Sequence, residues 1–243
     1  MSFAPSESTS TLIEAALDAG ALKFGTFTLK SGRQSPYFFN ASFLSSGALL
    51  NAVANAYASV IMEMFNIPPS SLSGAADPPA NLPFDVLFGP AYKGIPFAAC
   101  TALVLSTCHS LPISVAYDRK EAKTHGEGGS LVGPPLKGKR VVILDDVMTA
   151  GTAVRGVLRV LREEGAEVVG VVQLLDREEL GGGVELQGGE VSAVKDVEKE
   201  VGIGKVKCVL RARDLLGWLQ ENGTAEEVRR MKEYREMYGV KDM

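Results

Sequence analysis

The residues with the clearest chemical purpose lie in one run, Asp145-Asp146-Val147-Met148-Thr149-Ala150-Gly151-Thr152, directly after the apolar stretch Val141-Val142-Ile143-Leu144. Small residues around Gly151 let the backbone curl so that successive N–H groups point inward. A helix starting at Thr152 would add partial positive charge, and such a turn holds a phosphate without a basic side chain. The paired carboxylates before it can accept hydrogen bonds from adjacent sugar hydroxyls. Together they point to a sugar-phosphate site. For an isolated Asp-Asp pair, a strand–turn–helix junction with an Asp cap is the plainer alternative. The motifs G-x-x-x-x-G-K-[ST] and G-x-G-x-x-G do not occur in the sequence.

Further cations stand where an anion would need them. Lys93 lies beside Gly94, just after a short apolar run at 86–88, and could reach phosphate oxygens. A polar stretch from 118 holds Arg119, Lys120, Lys123 and His125 beside Gly126, Gly128 and Gly129. By composition that is a solvated loop, yet cations between glycine hinges also suit a lid. Arg177 follows the apolar run at 168–175 and has the planar fork that grips a carboxylate; a surface ion pair with Glu178 or Glu179 is its alternative. Phe38 and Phe39 alternate across a strand, so one can wall a planar ligand while the other packs inward.

Regular elements must position these groups. Residues 8–22 form an amphipathic helix closed near Gly20. Residues 24–30 and 37–41 make a hairpin around Ser31-Gly32-Arg33. An Ala-rich helix covers 49–65. Pro, Ser, Ala and Asp then dominate 68–83, a surface insertion given no chemistry. Beyond it, apolar runs at 86–88, 113–117, 141–144 and 168–175 alternate with helices at 95–106 and 152–164. That pattern predicts an α/β fold with a mostly parallel sheet covered on both faces. Ligands of such sheets sit at the carboxyl ends of the strands, where the acidic pair, Lys93 and Arg177 lie. Residues 181–190 read as a mobile turn, and 224–238 as a charged helix whose Glu226/Arg230 and Glu233/Met237 spacings suit a solvated face.

Composition narrows the classes. The chain has 243 residues, which fits one large domain or two small ones. A net charge of -4 argues against nucleic-acid binding. Three cysteines, Cys100, Cys108 and Cys208, lack zinc-type spacing and read as reduced packing residues. Two histidines, His109 and His125, leave little for a His-rich metal site. The opening residues lack a secretion signal, and the most apolar stretch, 95–111, is too interrupted for a membrane span. A cytoplasmic location is the default expectation.

Four segments resemble those of a known family. Residues 142–152 resemble the phosphoribosyl pyrophosphate (PRPP) signature of the type I phosphoribosyltransferases. Leu29-Lys30-Ser31-Gly32-Arg33-Gln34-Ser35-Pro36-Tyr37-Phe38-Phe39-Asn40, Gly89-Pro90-Ala91-Tyr92-Lys93-Gly94-Ile95 and the loop from Arg119 to Gly128 are similar to segments of its orotate branch. The resemblance implies a single domain over 1–243, with an N-terminal hood to about residue 45 and a mobile catalytic loop at about 118–130. It implies Mg²⁺-dependent transfer of the phosphoribosyl group from PRPP to orotate, in pyrimidine biosynthesis. Catalysis then falls to Lys123, with Lys30, Arg119 and His125. PRPP would meet Lys30, Tyr92, Lys93, Arg119, Lys120, Lys123, His125 and the run Asp145, Asp146, Val147, Met148, Thr149, Ala150, Gly151, Thr152 and Ala153. Orotate would meet Phe38, Phe39, Thr149 and Arg177. Mg²⁺ would ride on PRPP, so no protein ligand is nominated. The resemblance also implies a cis Ala91–Tyr92 peptide and a homodimer whose catalytic loop serves the neighbouring site. A transferase for another base, or a non-catalytic PRPP-binding regulator, would share the fold.

Overall fold

A computed structural model describes residues 4–68, 81–123, 129–148, 151–180 and 192–240, with side chains omitted at 122, 123, 129, 152 and 153. Helix α1, Glu7–Asp18, starts where the Ser6 hydroxyl accepts the Thr9 N–H at 3.2 Å and buries Leu12, Ile13 and Ala16. It stops short of the predicted 22 because Gly20 turns left-handed (φ +69°) and donates back to the Leu17 carbonyl. Strands β1, Leu22–Thr28, and β2, Gln34–Phe39, then pair antiparallel, with Phe24 opposite Tyr37 and Thr28 opposite Gln34. The hairpin was expected about two residues later along the chain. Its tip turns at Gly32, φ +80°.

Helix α2, Gly47–Met64, leads toward the main sheet. Strands β3 (Val86–Gly89), β4 (Ser114–Lys123), β5 (Gly129–Val132), β6 (Arg140–Met148), β7 (Glu167–Asp176) and β8 (Val206–Arg211) form it, in the order β5-β4-β3-β6-β7-β8. All neighbours run parallel except β4 and β5. Val142 and Leu144 of β6 join a core with α1, α2 and the hairpin, whereas Val141 and Ile143 join a second core. Helices α4, Thr152–Glu163, and α5, Ala193–Val201, cover that second face. A strand buried on both faces must be apolar throughout, which is why the run 141–144 was readable. Helix α3, Gly94–His109, links β3 to β4; α6, Ala212–Asn222, and α7, Ala225–Tyr238, follow β8. Among the described residues no helix is long and apolar enough to cross a membrane.

Two expectations are corrected here. The stretch from 118 is not all loop: β4 continues through Arg119 and Lys120 to Lys123, and β5 folds back so that Asp118 faces Leu131 and Lys123 faces Gly129. A ribbon at the sheet edge keeps one side in solvent and needs no apolar run to form. Helix α7 has the expected exposed face and buries Met231 and Tyr234 on the other, but the Glu226/Arg230 spacing does not pair. Its Glu226 pairs with Arg229, while Arg230 reaches the Gly25 carbonyl of the hairpin at 2.8 Å. The segment 181–190, read as a turn, and most of the insertion at 68–83 lie outside the described residues.

Past the end of β7 the chain is locked by buried charge. Glu178, only 2% exposed, accepts the Arg213 N–H at 3.0 Å and pairs with the guanidinium groups of Arg213 and Arg235. Its backbone takes φ +52°, and its carbonyl accepts from Val240, while Leu180 donates to the Tyr238 carbonyl. The turn after β7 is thereby fastened to α6 and to the end of α7. Removing one member of such a buried set costs about 3–5 kcal/mol, since the opposite charges stay desolvated. Glu178→Gln is therefore expected to lower Tm by about 6–15 °C in thermal unfolding. A shift under about 2 °C would show that water screens this cluster.

Candidate active site

The C-terminal edge of the sheet gathers the expected groups. Strand β6 outruns β3, whose last partner on it is Ile143, so Asp145 to Met148 project beyond that neighbour. Asp145 Oδ1 accepts the Asp146 N–H at 2.9 Å, folding the first carboxylate over the next peptide. Tyr57, from the middle of α2, donates its hydroxyl to the Asp145 carbonyl at 2.7 Å. Asp146 Oδ2 holds Lys93 Nζ at 2.7 Å, joining the end of β6 to the turn before α3. The acidic pair and Lys93 thus meet as expected.

Gly151 (φ +70°) caps α4, and a glycine supplies no side-chain acceptor for the first turn of N–H groups. Those donors and the helix dipole are left for an anion. On the other side, Pro90 and Ala91 turn sharply, the Ala91–Tyr92 peptide is cis as expected, and the Ala91 N–H donates to Asp118 at 2.6 Å. Gly94 lies so close to β6 that a Cβ there would stand 2.7 Å from the Leu144 carbonyl oxygen. Only glycine lets α3 begin against the strand that carries the acidic pair.

Next to this turn, Tyr92, Ile95, Tyr117, Arg119 and Lys120 line a depression of about 310 Å³. Lys120 and Tyr92 are exposed and Arg119 is half-buried, so these cations face the mouth of the site. A larger groove, about 680 Å³ between α1, α2 and β8, contains none of the expected site residues.

The hairpin approaches from β7. Arg177 Nη2 donates to the Ser35 hydroxyl at 2.9 Å, and its Nε to Glu179 at 2.7 Å. The guanidinium also lies 4.3 Å from the centre of the Tyr37 ring. The ion pair with Glu179, one of the two alternatives for this arginine, is therefore real, and it is buried rather than superficial. Tyr234 donates to the same Glu179 oxygen at 2.9 Å. Phe38 is 40% exposed and stacks with Phe27, whereas Phe39 packs against the core, so the alternation holds. Lys30 is exposed beyond β1 and has no hydrogen bond or ion pair among the described residues. The side chains of Lys123, Thr152 and Ala153, and all of His125, Thr149 and Ala150, lie outside what is described.

Sequence reading missed Asp118 and Tyr57. Asp118 had a signal, since it directly follows the apolar part of β4. Tyr57 had none, because its partner is 88 residues away. For a metal, the described residues offer two adjacent carboxylates and a lysine, and no group of three or more His, Cys, Asp or Glu side chains. That donor set suits an ion carried in by a phosphate ligand.

Burial and the neighbouring Asp146 charge push the Asp145 carboxyl up to about 6, from 3.8. The folded chain therefore binds this proton more tightly than the unfolded chain. Its contribution to stability is fully present below about pH 4 and is lost as pH rises through about 6. Asp145→Asn should accordingly raise Tm by about 2–6 °C at neutral pH and lose that advantage near pH 4. Equal stability of variant and parent at neutral pH would mean that the carboxylate is well solvated.

Residues 73–185 match the phosphoribosyl transferase domain model. Orotate phosphoribosyltransferase of Acinetobacter baumannii is 46% identical over 228 residues, 94% of each chain. That of Pseudomonas putida is 43% identical, covering 94% of this chain and 96% of the relative. The crystal structure of orotate phosphoribosyltransferase from Francisella tularensis superposes with a TM-score of 0.76 at 36% identity, covering 94% of this chain and 99% of that one. An acidic pair before a glycine-capped helix, in a chain this similar from end to end, leads to one conclusion: the chain belongs to the orotate phosphoribosyltransferase family.

Proposed function

We propose that the described edge of the sheet binds PRPP and orotate side by side and drives loss of pyrophosphate from the anomeric carbon. The observation that carries this reading is the Asp145-Asp146 pair, held by Lys93 and Tyr57 in front of an open helix N-terminus. The 5′-phosphate would take the N–H groups between Thr149 and Ala153. The ribose hydroxyls would donate to Asp145 and Asp146. Pyrophosphate would lie toward Tyr92, Lys93, Arg119 and Lys120, with Lys123 and His125 completing its cationic surroundings. Mg²⁺ bound to the pyrophosphate would neutralise part of its charge.

Orotate fits the hairpin side. The Phe38–Phe39 backbone offers N–H groups, the exposed Phe38 ring offers a wall, and Thr149 lies in the adjoining run. Arg177, steadied by Glu179, would face the orotate carboxylate, and Lys30 would come from the hairpin tip. As pyrophosphate leaves, positive charge grows on the ribose and negative charge on the departing oxygens. The chain's part is to fix both partners and stabilise the second charge. Lys123 is the residue assigned to meet those oxygens, by charge or by donating a proton. The ring nitrogen of orotate then bonds to the anomeric carbon, giving orotidine 5′-monophosphate and pyrophosphate. A cytoplasmic setting suits these substrates.

Loss of orotate absorbance on adding PRPP and Mg²⁺ tests the reaction directly, and a chain that consumes adenine or another base instead would refute it. In the same assay Asp146→Asn should raise KM for PRPP by about ten- to hundredfold while changing KM for orotate far less. Unchanged kinetics at limiting PRPP would remove Asp146 from the ribose.

The proposed assembly is a two-fold dimer whose loop cations act on the neighbouring site. The exposed Tyr92, just before α3, and Leu103, in the second half of α3, support a second copy covering them. Mixing Lys123→Ala with Asp146→Asn chains under subunit exchange gives the test. If the loop acts in trans, each mixed dimer has one site free of both lesions, and about a quarter of parental activity returns. No recovery despite confirmed exchange would assign the loop to its own chain.

A further inference from the structure

We propose that Gln173 is a positioning residue for the phosphate-binding turn, pegging the end of β6 so that the N–H groups beyond it converge on PRPP. Gln173 lies in the middle of β7, fully buried, between Val171 and Val172 on one side and Leu174 and Leu175 on the other. A carboxamide in such a run costs free energy unless its hydrogen bonds are made. One is made. Oε1 accepts the backbone N–H of Met148 at 2.8 Å, across 25 residues of chain.

That N–H is a consequential one. Met148 is the last residue of β6, is 5% exposed, and stands three positions before the glycine that caps α4. Within a parallel ladder a strand N–H finds a backbone carbonyl on its neighbour. At this strand end a side chain serves instead, so the position of the turn depends on one carboxamide. An alkyl side chain at 173 would leave a buried backbone donor unsatisfied, relieved only by moving the turn.

The other half of the carboxamide is equally informative. A backbone N–H can only donate, so the atom facing Met148 must be the oxygen, which fixes the orientation of the amide. Nε2 is then buried with no hydrogen-bond partner among the described residues. Gln173 is also the register partner of Asp145 on one side and Cys208 on the other. An unmatched donor beside the acidic pair is an unusual thing to retain. We infer that it gains an acceptor when the turn settles around the sugar phosphate, so that the peg holds more firmly with ligand bound.

The inference rests on the reading of 145–153 as the PRPP segment. Its test is Gln173→Met, which keeps length and burial but can neither accept nor donate here. KM for PRPP should rise about tenfold, with KM for orotate within about twofold and kcat at saturation within about threefold. KM values unchanged for both substrates, or raised equally for both, would overturn the proposal. Asp146→Asn serves as the control. If it raises KM for PRPP and Gln173→Met does not, only the peg is wrong; if neither does, the PRPP segment itself is misassigned. Should the variant not fold, hydrogen exchange on the parent decides. The Met148 amide should be protected in the free chain and at least about tenfold more so with PRPP, but not with orotate alone. Rapid exchange in the free chain, or protection indifferent to PRPP, would overturn the proposal.

Discussion

Everything at this site follows from the way β6 ends. Two adjacent carboxylates are carried beyond a neighbouring strand into partial burial, immediately before a turn whose N–H groups have no side-chain cap. Each half is unfavourable alone. The Asp145 carboxyl resists ionisation, pushed up by burial and the neighbouring charge, and no side chain caps the first N–H groups of α4. A ligand bearing hydroxyls and a phosphate in fixed relation relieves both at once. The free chain meets the first need by lending Lys93 to Asp146.

The rest of the fold can be understood as the frame for that strand end. Gly94 brings α3 against β6, Tyr57 anchors the Asp145 carbonyl from α2, and the glycine cap starts α4. On the far side a chain of buried charge runs from Arg177 through Glu179 to Tyr234 of α7, with Glu178 tied to Arg213 and Arg235. The hairpin joins the same network through Ser35 and Arg33. The hairpin and the end of β7, to which orotate is assigned, are therefore positioned together. A disturbance at the C-terminal helix would be felt by Arg177.

How much of this could be read in the residues themselves depends on burial. The run 141–144 was legible because burial on both faces demands continuous apolar character, and the acidic pair stood out as the break in it. The edge ribbon β4–β5 was not, because its solvated side tolerates Arg119, Lys120 and Glu121. The span 192–222 gave no assignment, although it forms α5, β8 and α6; its apolar positions are few and interleaved with charge. The residues suggested Arg177 and its pairing with Glu179, but not its contacts with Ser35 and Tyr37 of the hairpin. Those contacts join segments up to 142 residues apart, and nothing local in either segment announces the other.

The central claim is that the Lys93–Asp146 pair stands in for the ligand. In a structure with PRPP bound, Lys93 should leave Asp146 for a pyrophosphate oxygen, and Asp146 should accept from a ribose hydroxyl. The measurement is the distance from Lys93 Nζ to Asp146 Oδ2, which is 2.7 Å without ligand. The account predicts that it opens to more than about 4 Å, beyond the range of a direct ion pair. An intact pair beside bound PRPP would contradict it.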